Sequence, residues 1–135
     1  MKALLVDRDW TLLQHCLARI RGRQHLTLAT SKAQALALLR HAPGIEVVVA
    51  CENLEDGSGL ALLDDIHARW PRLLRVFSAE SPRLALVRNQ LNAFRLRYTL
   101  TYPIKPAKLE LMLLRLARAQ AAAAARPRAT RRSEG

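Results

Sequence analysis

Short aliphatic runs alternate along this chain with stretches in which apolar residues recur every three or four positions. Residues 2–6 (KALLV) are an aliphatic run ending at Asp7, and Leu13, Cys16, Leu17 and Ile20 then follow at helical spacing before Gly22. Residues 25–30 (HLTLAT) alternate as a strand does. Ser31 can cap the helix after it, whose Leu36 and Leu39 share a face until Pro43 and Gly44 end it. Residues 45–50 (IEVVVA) form a continuous run of the kind covered on both faces, and they lead into the polar loop CENLEDGSG. A third helix is predicted from about Leu60 to Arg69, with Leu63 and Ile66 inward and Trp70-Pro71 as its stop. LLRVFS at 73–78 reads as a fourth strand, Ser81-Pro82 suits a helix start, and Leu84, Val87, Leu91 and Phe94 repeat at helical intervals. RLRYTLTY at 95–102 alternates as a fifth strand, and Pro106 opens a last helix bearing Leu109, Met112, Leu113 and Leu116.

Five strands alternating with five helices imply right-handed βαβ crossovers and a parallel sheet. The expected fold is therefore α/β: a flavodoxin-like doubly wound five-stranded parallel sheet of order 2-1-3-4-5, with helices on both faces in a three-layer sandwich. In such sheets the functional crevice lies outside the carboxyl ends of the strands, beside the switch point between the first and third. The loops beginning at Asp7, Cys51, Ser78 and Tyr102 are thus expected to converge. The domain is expected over 1–120, with 121–135 a basic, disordered tail whose alanines can prolong the last helix toward Arg126-Pro127.

Composition sharpens this picture. Half of the residues are hydrophobic but only 4% are aromatic, so the core must be built from aliphatic faces. The opening apolar run is too short for a signal peptide, and no run approaches the roughly 18 residues of a membrane span, which points to a cytoplasmic protein with no membrane partner. Cys16 and Cys51 stand at no metal-ligand spacing, and His15, His25, His41 and His67 are scattered, so neither a disulfide framework nor a zinc site is expected. Cys16 lies on an apolar helix stripe and reads as core. No serine sits in a recognisable nucleophile turn, so the chain is read as a non-enzyme. A net charge of +11, with Arg69, Arg72, Arg75, Arg83, Arg88, Arg95 and Arg97 in one stretch and Arg126, Arg128, Arg131 and Arg132 in the tail, admits an acidic protein or nucleic acid as partner.

At the four convergent loops the residues resemble the response-regulator receiver family. That family ends its first strand in two consecutive acids; here Asp7 keeps the first, and Arg8 replaces the second, followed by Asp9. Its phosphoacceptor aspartate stands seven residues before a helix opening that here resembles Ser58-Gly59-Leu60, and counting back seven from Ser58 reaches Cys51. Anchoring instead on Asp56-Gly57 puts the following Gly-Leu and Leu-Leu pairs out of phase. The resemblance makes Glu52 the acidic neighbour of Cys51, and Asn53 the residue that supplies a backbone carbonyl to the metal. Ser78-Ala79 is similar to the Thr/Ser-Ala switch motif, Lys105-Pro106 to the Lys-Pro after the fifth strand, and Tyr102 to the switch aromatic. The interval from Ser78 to Lys105 is a few residues longer than in the family, and the usual Gly-Ala before the fifth strand is missing.

These departures set the functional expectation. A thiol cannot form the acyl phosphate that a carboxylate forms, and an arginine cannot coordinate Mg²⁺, so Mg²⁺ binding is expected to be lost or weak and no other cofactor is implied. Arg8 is expected to pair with Asp7 or Asp9, either as a fixed cation in the crevice or as a solvated loop ion pair. Cys51 is either a small inert filler or a modifiable thiol whose ionisation Arg8 and Lys105 would favour. The resemblance implies a phosphorylation-independent interaction module in two-component signalling. Its partner protein or second copy would bind the face made by the fourth helix, fifth strand and last helix, where Leu111 and Leu114 add apolar surface. The alternatives are nucleic-acid binding by the arginine-rich surface and tail, and sensing of an anionic small molecule through Lys105, Ser78 and Arg8.

Overall fold

The computed structural model describes residues 1–20 and 24–125. From the N-terminus the chain lays down β1 (Lys2–Val6), α1 (Trp10–Arg19), β2 (His25–Ala29) and α2 (Lys32–His41). Strand β3 (Val47–Cys51) is followed by a two-stranded hairpin of β4 (Asn53–Leu54) and β5 (Gly57–Ser58), and by α3 (Gly59–Arg69). The remainder holds β6 (Leu74–Ala79), α4 (Ser81–Leu86), α5 (Arg88–Ala93), β7 (Tyr98–Thr101) and α6 (Pro106–Ala124). The five long strands are parallel in the order β2-β1-β3-β6-β7, which is the expected 2-1-3-4-5 arrangement with the hairpin set aside.

Side chains alternate across each strand, and this sorts the core into two layers. Leu4, Val6, Val48, Ala50 and Phe77 face one side and pack with Leu39, Leu63, Ile66 and Leu91 of α2, α3 and α5. Leu5, Val49, Cys51 and Val76 face the other and pack with Leu13 and Cys16 of α1 and Leu109 and Leu113 of α6. By the same parity Asp7 and Ser78, two residues beyond Leu5 and Val76, point to the α1 and α6 side, as Cys51 does. Side-chain oxygens start three helices: Asp9 accepts from the Leu12 N–H, Ser31 from that of Gln34, and Ser58 from those of Leu60 and Ala61.

Several expectations need correction. The loop after Cys51 is not featureless but folds as the β4–β5 hairpin, in which Gly57 takes φ of 148°, a region open to glycine. The fourth helix is divided at Val87 into the short α4 and α5, so that six helices lie among the described residues. Leu17 is exposed, because Leu13 and Cys16 already fill the α1 contact with the sheet. The first helix stops at Arg19, and Gly22 lies outside the described residues. The last helix runs through Ala124; the tail arginines, Arg126 onward, also lie outside the described residues. Among the described residues no helix is long and apolar enough to cross a membrane.

The fifth strand starts at Tyr98 rather than Arg95, and the reason is a helix-ending motif. Arg95 has φ of 58°, its N–H reaches the carbonyl of Asn92, and the Leu96 N–H reaches that of Leu91. This is a Schellman ending with an arginine where glycine is the usual residue, at a cost of about 1 kcal/mol. Arg75 braces it. Although it belongs to the arginine-rich stretch, Arg75 lies on β6 and is only 7% exposed, donating to the carbonyls of Leu63 (3.1 Å), Phe94 (2.8 Å) and Arg95 (3.3 Å). It therefore fastens β6 to α3 and to the end of α5 instead of joining a basic surface.

Candidate functional site

Parallel register brings the ends of β1, β3 and β6 level, with Cys51 opposite Ser78 and Asp7 one residue past the Val6–Ala50 pair. Beyond these ends lies a cavity of about 550 Å³. Asp7, Cys51 and Tyr102 line its inner wall, and Arg8, Glu52, Asn53, Glu80 and Arg83 stand around them. The backbone here is tightly closed. The Glu52 N–H continues the ladder to the Ser78 carbonyl at 2.9 Å, and the Gly59 N–H reaches the Glu52 carbonyl at 2.9 Å. A Cβ on Gly59 would meet the Cys51 carbonyl oxygen at 1.9 Å, so only glycine lets α3 start this close to the end of β3.

The inner wall is a buried, under-bonded polar cluster. Asp7 is 1% exposed; its Oδ1 accepts the Asp9 N–H at 3.1 Å, while Oδ2 has no partner. Burial raises its pKa above the ordinary 3.8, against the lowering effect of the Asp9 N–H. The nearby Cys51 thiol and Tyr102 phenol lower it by less, and neither completes a hydrogen bond to Oδ2. Cys51 is 2% exposed, and burial, then the Asp7 charge, push its thiol far above the usual range. Tyr102 is pushed up to about 12 by burial and then by Asp7. The Ser78 hydroxyl is fully buried and has no partner. The thiol is thus held protonated, which agrees with the inert filler of the two alternatives and not with a thiolate favoured by Arg8 and Lys105.

The cations are arranged differently from expectation. Arg8 is exposed on the rim and makes no ion pair with either neighbouring acid. The reason is local: Asp7 Oδ1 is engaged by the Asp9 N–H, and Asp9 caps α1 through the Leu12 N–H at 3.2 Å. Arg83 of α4 supplies the bound cation instead, with Nε at 2.8 Å and Nη2 at 2.5 Å from Glu52 Oε2. Lys105 is exposed at the start of α6 and does not line the cavity; the residue that follows β7 into the cavity is Tyr102, itself followed by Pro103. Asp56, the alternative anchor, turns away, accepting the N–H groups of Lys32 (2.6 Å) and Ala33 (3.0 Å) at the start of α2. Those bonds hold its carboxyl below the usual range. Asn53 is exposed on β4 at the cavity edge.

Several solved structures with the same geometry are receiver domains. A signal receiver domain of an HD domain-containing protein from Pseudomonas fluorescens Pf-5 superposes with a TM-score of 0.77 at 26% identity, covering 93% of this chain and 93% of that one. The receiver domain of Francisella response regulator 1452 gives 0.76 at 18% identity, over 88% of this chain and 98% of its own. A CheY-like response regulator receiver domain protein from Methanospirillum hungatei JF-1 gives 0.72 at 17%, over 88% and 94%. No protein-family model and no curated protein matches the chain. The chain has the flavodoxin-like fold of response-regulator receiver domains, and the likeness read from its sequence holds in three dimensions. That likeness supports a place among two-component signalling domains.

The Asp7 environment makes a stability prediction. Because the folded state raises its pKa, folding favours the protonated acid, and stability is lost as pH rises from 3.8 through the raised value. Asp7→Asn removes this loss and keeps an oxygen for the Asp9 N–H. In urea denaturation the variant is expected to be more stable than the parent at pH 7, with the advantage fading as pH falls toward 3.8. A variant that is less stable at neutral pH would show that the carboxylate is satisfied where it lies.

Proposed function

We propose that this chain is a receiver-type module that signals by binding another protein and not by accepting a phosphoryl group. The observation that carries the reading is Cys51, a buried thiol held protonated at the end of the central strand beside Asp7. A neutral thiol is a poor nucleophile, so the same environment weighs against Cys51 as a redox or modification site. The module is read as cytoplasmic and non-catalytic.

The surroundings of Cys51 support this. In our reading Tyr102-Pro103, rather than Lys105-Pro106, stands where the family has its Lys-Pro, since Tyr102 reaches Asp7 and Lys105 does not line the cavity. This alignment also removes the excess length between Ser78 and the Lys-Pro position. The crevice then lacks the acceptor carboxylate, the second acid and the ammonium. Mg²⁺ needs several oxygen ligands, whereas here Glu52 is occupied by Arg83, and Arg8 adds a second positive charge to the cavity. This donor set does not fit the ion. NMR spectra recorded with beryllofluoride and Mg²⁺ are expected to show no change at Ser78, Arg83 or Tyr102. A saturable shift there would refute a phosphorylation-independent module.

The partner surface we assign is the groove between β7 and α6, about 430 Å³ in volume, floored by Tyr98, Leu100 and Met112 and bordered by Leu111, Lys108 and Arg115. Leu111 is 46% exposed, an apolar anchor beside cations. With a net charge of +11, a second copy is repelled, and an acidic protein helix is the occupant the charges favour. An amphipathic peptide with leucines at i, i+3 and i+7 flanked by glutamates should shift the Leu100, Leu111 and Met112 methyl signals, and Leu111→Lys should abolish the effect. Self-association through these methyls would make a second copy the occupant, and unchanged spectra would remove this face from the reading.

A further inference from the structure

The arginine-rich stretch does not form one surface. Arg83 is tied to Glu52 at the crevice, whereas Arg75, Arg95 and Arg97 gather at the opposite end of the sheet, where β6 and β7 begin. There they line a cavity of about 290 Å³ together with His67, at the end of α3, and Tyr98. This volume lies just below the range of drug-sized ligand pockets, roughly 300–1,000 Å³, and suits a smaller molecule. No carboxylate lines the cavity.

Two features of this cavity are unfavourable for folding alone. Arg75 is a guanidinium 7% exposed without an ion-pair partner among the described residues; exposed Asp64 acts on it only through space. Burying a charge without a counterion is costly. Arg95 holds a left-handed backbone that glycine would adopt without penalty. Arg75 uses three of its five N–H donors on backbone carbonyls, which leaves two for a ligand. Arg95 and Arg97 are exposed at the mouth and add their own forked donors.

We infer that this cavity is an anion site for a small phosphorylated molecule, with Arg75 as the recessed positive floor and Arg95 and Arg97 as the clamp. Arginine forks match the oxygens of a phosphate group. The recess of Arg75 favours a compact phosphate ester over the backbone of a nucleic acid, which needs projecting cations. The site lies at the other end of the strands from Asp7 and Cys51, so occupancy is independent of the crevice.

The test is an NMR titration of the full chain with inorganic phosphate, adenosine monophosphate and, as an uncharged control, adenosine. Phosphate and the nucleotide are expected to shift the His67, Arg97 and Tyr98 amides saturably, with half-saturation below ~1 mM, while adenosine and the Asp7 and Cys51 amides stay unmoved. A tighter nucleotide points to an esterified ligand, and equal affinities point to free phosphate. Arg95→Gly, which suits the left-handed backbone, should keep or raise Tm yet weaken binding about tenfold, and Arg97→Gln should do the same to binding. No saturation by ~10 mM, or unchanged affinity in Arg95→Gly, would overturn the site. Tighter, steeply salt-dependent binding of a single-stranded oligonucleotide at these amides would overturn the small-ligand assignment in favour of nucleic acid.

Discussion

A carboxylate and a thiol buried side by side set the chemistry of this domain. Asp7 and Cys51 end adjacent strands on the same face of the sheet, both almost without solvent. In that medium two neighbouring negative charges are prohibitive, and the group with the higher intrinsic pKa stays neutral. The thiol is that group. The crevice accordingly has at its base a carboxyl group whose pKa burial raises and whose Oδ2 has no partner, a protonated sulfur beside it and a high-pKa phenol over it.

The scaffold explains why this cluster stays in place. Parallel register fixes the ends of β1, β3 and β6 to within a residue, and the glycine at 59 lets α3 begin directly against the Cys51 carbonyl. On the outer side Arg83 ties α4 to Glu52, and Asp56 and Glu55 tie the hairpin to the start of α2 through the Lys32 and Ala33 N–H groups and the Thr30 hydroxyl. These exposed ties are individually small, because solvent screens them. They act on loops whose positions the buried strands have already set.

The strands are legible because burial on one or both faces leaves a period-two or continuous apolar record, as in KALLV and IEVVVA, the second of which is a strand over Val47–Cys51. The hairpin left no such record: its strands are two residues long and are held by polar contacts to a segment more than twenty residues away. Within LRVFSA, Arg75 stands between partly buried Leu74 and buried Val76 and shares the parity of buried Phe77, which is the available sign that it points into the protein. Under the proposed alignment, the excess spacing before Lys105 is the corresponding sign for Tyr102, which lines the cavity where Lys105 does not. The Arg83–Glu52 pair had no local signal, since it joins residues brought together only by the β3–β6 pairing. Cys51 stands seven residues before the Ser58-Gly59-Leu60 helix opening, and the close approach of Gly59 to its carbonyl gives that spacing a physical basis.

The protonation of one sulfur decides what this crevice can do, and the reactivity of Cys51 reads it directly. Native protein treated with iodoacetamide over pH 7 to 9.5 and mapped by mass spectrometry should show Cys51 unmodified throughout, with alkylation appearing only after unfolding in urea. Rapid alkylation of Cys51 in the folded protein, following an apparent pKa near or below that of a free thiol, would contradict it.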